Sequence, residues 1–270
     1  MFVCTVQQRK RTIAKLKMNM LVAVIVMASC IQAVICFNLP GSEPREFQPG
    51  ERVPLLVGKL TSAKTQTTYR YYDLPFPAPA EVKDARSNLA DILFGDVLEN
   101  SLYEILAEQD ESCKVVAHTT YKRDEVDEYI EKIEQEYRVH WVIDKLSSLT
   151  KQTNDQEKAR NKPGFPLGSP RQRIYSALFF SRLLSRFVCA RHVNAERKIL
   201  LNNHVDITIF YHKNPTNNGI QVVGFEVKAD SRAWPKGRPC SSEPAHSLVL
   251  SPHKDSTSVH WTYSVTWELR

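Results

Sequence analysis

Catalytic signatures are missing from this 270-residue chain. It has no G-x-S-x-G elbow, H-E-x-x-H pair, Walker loop or dinucleotide fingerprint, which removes the common hydrolase, metalloprotease, nucleotide-binding and dehydrogenase readings. Long apolar runs are missing after Cys36. None approaches the roughly 18 residues that a spanning helix needs, so no integral-membrane segment is expected beyond the leader. N-glycan acceptors are missing as well, because Asn214 is followed by Pro215. Cysteine is scarce: past Cys36 stand only Cys113, Cys189 and Cys240, an odd set that leaves one thiol over in an oxidising compartment.

Acidic residues are absent from the first 36 positions, where Arg9, Lys10, Arg11, Lys15 and Lys17 precede a run from Met20 to Cys36 that is apolar apart from Ser29 and Gln32. Ala33 and Cys36 lie near its end, and the polar, Pro/Gly-bearing FNLPGSEPREF follows. A charged n-region, an h-region and a cleavage site near Cys36 and Phe37 make a secretory signal peptide. A signal anchor retained in the membrane is the alternative, although 17 residues is at the lower limit of a span. Residues 1–36 are therefore read as signal peptide and 37–270 as one exported domain.

The leader also governs the charge. The chain is formally +6; the leader holds five of those charges, which leaves +1. A block from Ser169 to Arg197 sets six arginines against Glu196 alone, and removing its net +5 leaves the rest of the exported chain at −4. A nucleic-acid partner, which needs a clustered electropositive face on the folded domain, is not expected. Ile174, Leu178, Leu184, Phe187 and Val188 with Arg182 and Arg186 allow a basic amphipathic helix at a membrane surface. The block departs so sharply from its flanks that it equally reads as an insertion at 169–199, or as sequence foreign to the fold such as retained intron. Because Cys189 lies inside it, Cys113 with Cys240 is the expected disulfide, the other pairings staying open.

Periodicity predicts a mainly β (α+β) fold, with β-sandwich-like antiparallel sheets and one amphipathic helix near 124–138. From Ser258 to Glu268, Val259, Trp261, Tyr263, Val265 and Trp267 alternate with polar residues, the mark of a half-buried antiparallel strand. Val205–Tyr211 and Ile220–Lys228 form a hairpin around the turn-rich Asn214–Gly219, with Gly224 marking a bulge. Further strands are expected at Val53–Leu60, Thr68–Leu74 and Val139–Ile143. The helix is expected over Asp124–Arg138, with Val126, Tyr129, Ile130, Ile133 and Tyr137 on its apolar face.

His204, His212, His246, His253 and His260 nominate a metal only if ligands converge. His204 and Asp206 share a strand face opposite Val205, which a solvated polar face explains equally well. The acids of the helix (Asp124, Glu125, Asp127, Glu128, Glu131, Glu134, Glu136) lack the Gly turn and loop spacing of a calcium site. No catalytic, cofactor-binding or metal residue is assigned, and no cofactor is expected.

A set of short strings, in order and spacing, resembles one family. They include Phe37-Asn-Leu-Pro-Gly, Tyr71-Tyr-Asp-Leu-Pro-Phe76, Asn88-Leu, Leu93-Phe-Gly-Asp96, Glu99-Asn-Ser-Leu-Tyr-Glu104, Glu136-Tyr-Arg-Val139 and Asp144. They continue through Lys162-Pro-Gly-Phe-Pro-Leu-Gly168, Asn203-His-Val-Asp206, Phe210-Tyr-His212, Val223-Gly-Phe-Glu-Val-Lys228 and Tyr263-Ser-Val265. Across nearly all of 37–270 the chain is similar to the N-terminal luminal region of nonaspanins, the transmembrane-nine superfamily. Three departures stand out. Pro77 and Ala117 occupy positions where members often carry cysteine; losing both fits the loss of one disulfide and leaves Cys113 and Cys240 to pair. The stretch from Ser169 to about Ile199 has no counterpart, and the chain stops at Arg270, before the family's nine membrane helices. The resemblance implies a truncated luminal domain of a Golgi or endosomal membrane protein, non-enzymatic, with membrane proteins as cargo, notably those with glycine-rich spans. It also implies roles in adhesion and phagocytosis, and membrane association in the full-length form. A freely secreted protein that binds through Trp261 and Trp267 on an exposed sheet face is the alternative, and a hydrolase built on His204 and Asp206 a more distant one.

Overall fold

The computed structural model describes residues 45–85, 97–154, 157–172, 197–234, 239–240 and 246–270. The leader with its cleavage site near Cys36 and Phe37, the strings at Asn88 and Leu93–Asp96, and 173–196 of the basic block with Cys189 lie outside them.

Sixteen strands follow in chain order: β1 (Glu46–Phe47), β2 (Arg52–Thr61), β3 (Thr68–Tyr69), β4 (Glu99–Leu106), β5 (Glu111–Lys122), β6 (Arg138–Ile143), β7 (Leu146–Ser147) and β8 (Leu149–Asn154), then β9 (Glu157–Pro163), β10 (Phe165–Pro166), β11 (Gly168–Gln172), β12 (Arg197–Leu201), β13 (His204–Lys213), β14 (Ile220–Asp230), β15 (Val249–Leu250) and β16 (Ser256–Leu269). Among the described residues one α-helix, α1 (Arg123–Glu134), joins β5 to β6. The mainly β class expected from periodicity is what forms. One sheet runs β5-β16-β13-β14-β8-β9 with β1 on β14. A second runs β10-β6-β2-β3 with β4 on β2 and β7 on β6, and β11-β12-β15 make a third. The two larger sheets and α1 share a single apolar cluster. At its centre Tyr103 of β4 lies 4.6 Å from Trp141 of β6 and 5.3 Å from Tyr263 of β16, ring centroid to centroid.

The alternation in β16 buries Val259, Trp261, Tyr263 and Val265. Trp261 donates its indole N–H to the Tyr121 hydroxyl at 3.0 Å, so this side chain is core and not the exposed binding face of the secreted alternative. Pairing differs from expectation on one side. β16 is antiparallel to β5 but parallel to β13, with His204 opposite Thr262 and Asp206 opposite Ser264. The chain leaves β13 through the β13–β14 hairpin on one flank and returns on the other. That crossover is long enough to bring β16 back in the direction of β13.

Other boundaries move for local reasons. The helix stops at Glu134, not Arg138: Glu136 turns to φ +58° and the Tyr137 N–H bonds the Lys132 carbonyl, which frees Arg138 to start β6. The stretch expected as a strand over Thr68–Leu74 pairs only through β3. It then winds into a 3-10 turn at Tyr71–Asp73, where the Asp73 carboxylate accepts the Arg70 N–H at 2.9 Å and Tyr71 stacks on Phe76 at 4.1 Å. The β13–β14 hairpin forms as expected, and the register slips beside Gly224 so that Val223 is the extra residue of a bulge. β11 and β12 pair from Gly168↔Leu201 to Gln172↔Arg197, holding the two ends of the basic block side by side, with Ile199 and Leu200 buried. Cys113 is joined to Cys240.

Candidate functional site

The parallel register of β13 and β16 sets two polar rows beside each other. His204 is fully buried; its Nδ1 lies 2.8 Å from Thr262 Oγ1 and its Nε2 2.9 Å from Asp206 Oδ1. A carboxylate only accepts, so Nε2 carries a proton, and Nδ1 pairs with the Thr262 hydroxyl. Asp206 Oδ1 also takes the Ser264 hydroxyl at 2.6 Å, and Oδ2 faces Arg232 at 3.3 Å. Burial pushes the Asp206 carboxyl up, but the hydrogen bonds from His204 and Ser264 and the charges of His204 and Arg232 outweigh it and hold its pKa at about 2.

Asn203, one residue earlier, ties the rows to the segment that follows β14. Its amide donates to the carbonyls of Arg232 and His260 at 2.9 and 2.8 Å. Its side-chain oxygen accepts the Arg232 N–H, and its backbone carbonyl accepts the Thr262 N–H. The side-chain polar atoms of Asn203, His204 and Asp206 are thus all used within the domain.

Next to this network opens a cleft of about 260 Å³, walled by Asn203, Arg232, Trp234, Ser258 and His260 on its polar sides and by Ala233 and Leu248. His260 stacks on His118 of β5 with ring centroids 4.3 Å apart, and His118 Nε2 lies 2.6 Å from Ser258 Oγ. Burial, and then the neighbouring His118, lower the His260 pKa. Trp234 Nε1 and His260 Nδ1 are buried without a hydrogen-bond partner among the described residues.

The hydroxyl and imidazole that meet the carboxylate in this network are turned inward. The His204 imidazole does stand between the Thr262 hydroxyl and the Asp206 carboxylate, the order of a catalytic triad, but both His204 and Thr262 are buried, so the hydroxyl faces no solvent or open cleft. Among the described residues no group of three or more His, Cys, Asp and Glu is arranged to hold a metal. Of the histidines weighed in the sequence, His204 enters the network and His260 the cleft; His212 is held near the Arg270 carbonyl and does not join them. Arg232, Trp234 and His118 went unnoticed in the sequence. Only strand pairing brings them to Asn203 and His260, so no local signal marked them.

The strings behind the resemblance are structural joints. Asp144, itself at φ +45°, accepts the Arg45 N–H at 3.1 Å. Gly164 adopts φ +66°, and a Cβ there would stand 2.5 Å from the Val139 carbonyl. The family model described as Endomembrane protein 70 matches residues 68–270. The chain belongs to this family. Among its curated relatives in the transmembrane 9 superfamily, member 9 of Arabidopsis thaliana is 32% identical over 212 residues, 78% of this chain and 31% of the relative. Putative phagocytic receptor 1a of Dictyostelium discoideum is 38% identical over 207 residues, 74% of this chain and 29% of its own. Member 4 of Mus musculus is 27% identical over 260 residues, 86% and 36%. The chain thus spans about a third of the length of these curated relatives. No solved structure matches it significantly. No described helix of the chain is long and apolar enough to cross a membrane.

Proposed function

We propose that the chain is the luminal part of an endomembrane protein that helps sort other membrane proteins through the Golgi and endosomes, by protein contact and without catalysis. Family membership over 68–270 carries this reading. The link between Cys113 and Cys240 supports a lumen, because disulfides persist in oxidising compartments. The internally consumed network at Asn203–Asp206 supports a scaffold role for the most polar part of the fold. Membrane proteins are the proposed cargo.

Two measurements test it. Asp255→Asn writes an Asn-Ser-Thr acceptor with Ser256 and Thr257 at an exposed site; a glycosidase-sensitive mass increase in cells is expected, and an unglycosylated product would remove the luminal assignment. For sorting, cells lacking the gene should lose a defined subset of membrane proteins from the surface proteome. An unchanged surface would sink that role.

A further inference from the structure

His118 of β5 and His260 of β16 stand directly opposite each other in the antiparallel pair. Their rings are parallel to within 17°, with centroids 4.3 Å apart. Like charges directly opposite destabilise a pair of strands, so this face-to-face contact suits two imidazoles of which at most one is charged. Histidine is the side chain that changes its charge in mild acid. We propose that the pair is an acid-operated switch: when both rings carry protons the stack breaks, the exposed His118 ring swings into solvent, and His260 and Ser258 are uncovered at the edge of the cleft.

The surroundings decide which ring moves. His118 is exposed, and its Nε2 lies 2.6 Å from Ser258 Oγ, a contact that water can replace. The His260 ring is part of the cleft wall beside Arg232, Trp234 and Leu248, and its carbonyl is held by the Asn203 amide at 2.8 Å. A charged imidazole donates from both nitrogens. At His260 the Nδ1 atom is buried with no hydrogen-bond partner among the described residues. A proton on that ring therefore faces a like charge and also leaves a buried N–H without an acceptor. Departure of His118 relieves the repulsion and admits water to the ring.

Among the described residues no carboxylate is placed to offset the two charges. On β5, Val116 and Thr120 stand two residues either side of His118; on β16, Ser258 and Thr262 flank His260 in the same way. Asn203 precedes β13, Arg232 and Trp234 follow β14, and Leu248 precedes β15. Arg232 is the charged member of this set, a cation whose partners are Asp206 and Asp230. His246 pairs with Ala233 and is not among the cleft walls. Burial, and then His118, lower the His260 pKa, the direction that repulsion within the stack requires. A ring that resists its proton when stacked costs the stacked form stability once pH falls below the ordinary 6.5. The switch goes beyond the luminal reading and does not rest on it; an acidifying compartment would supply its signal.

The full chain, secreted from insect cells with ring-¹³C-labelled histidine, tests the proposal. It carries eight histidines; the resonance lost in His118→Phe is His118, and its ring-to-ring Overhauser contact marks His260. That contact should be present at about pH 7.5 and gone by about pH 5, with the buried Trp141 and Trp261 indoles unchanged. His118→Phe keeps a ring that stacks but takes no proton, so its contact with His260 should persist at both pH values. The ratio of unfolding constants, parent over His118→Phe, should rise roughly three- to tenfold on acidification, the factor that one aromatic stack is worth. Because His118 is exposed, this variant leaves the core intact. A parent contact that survives in acid, the same acid loss in His118→Phe, an unchanged ratio, or loss of the contact only through unfolding of the whole domain would overturn the proposal. The glycan experiment above is indifferent to all four results.

Discussion

Removing the charge of Asp206 should weaken the domain at neutral pH and leave it almost unaffected in strong acid. Its carboxyl moves from the ordinary 3.8 to about 2 on folding, which corresponds to roughly 2 kcal/mol of stability where it is ionised. A third of the side chain is in solvent (33% exposed), and screening trims this to about 1–2 kcal/mol. Asp206→Asn preserves shape and an acceptor for His204 and Ser264, but turns an amide N–H towards Arg232. For a domain of this size the loss is a fall in Tm of roughly 3–6 °C. A depressed carboxyl contributes fully above its unfolded pKa and ceases to contribute as pH falls through the folded one. The gap between the two proteins should therefore be constant above about pH 4 and close towards about pH 2. Calorimetric or urea midpoints across that range measure it. An Asn variant as stable as the parent at neutral pH would refute the reasoning, as would a gap that persists in acid.

The remaining predictions concern structure-bearing joints. The Cys113→Ala/Cys240→Ala double variant opens a link spanning 127 residues and should cost about 3–5 kcal/mol, measured as a lower urea midpoint that no longer responds to reductant. Gly168→Ala places a methyl against the Leu200 carbonyl and 2.6 Å from Ile133 Cδ1. It should cost about 2–3 kcal/mol in chemical unfolding, since both β11 and α1 would have to retreat. Phe76→Ala removes the ring that stacks on Tyr71 and lies 5.4 Å from Trp261; a loss of about 3–5 kcal/mol is expected, with a changed near-ultraviolet dichroism. Lys132 is buried with its ammonium 4.4 Å above the Tyr69 ring. Lys132→Gln should lower stability by about 1 kcal/mol, whereas Tyr69→Phe, which keeps a ring face, should cost less.

Periodicity made much of this fold legible because it reports burial directly. Val259, Trp261, Tyr263 and Val265 alternate because one face of β16 is core, and Val126, Tyr129 and Ile133 recur at helical spacing because one face of α1 is. Gly224 announced its bulge for a similarly local reason. The misread segments are those where local pattern and backbone geometry part. Tyr71 and Tyr72 look like strand residues, yet Asp73 captures the Arg70 N–H and winds the chain into a turn. Tyr137 continues the helical spacing from the first strand-bound turn beyond Glu136, so its burial came from the wrong element. The cleft was invisible, because Trp234, His118 and His260 stand 26 to 142 residues apart in the chain and none belongs to a local motif.

By itself the sequence determined the class of the fold, the faces of its main elements and the family. Each of these is written in local order: period, charge, or short strings at fixed spacing. The tertiary structure alone decided that β16 returns parallel to β13. That single choice sets His204 against Thr262 and Asp206 against Ser264. It turns a pair of polar residues that looked solvated into a hydrogen-bonded network with His204 fully buried, and places His260 beside a cleft. Strand direction depends on the end of β13 at which the chain enters β16, a property of the whole chain's packing that no window of residues encodes.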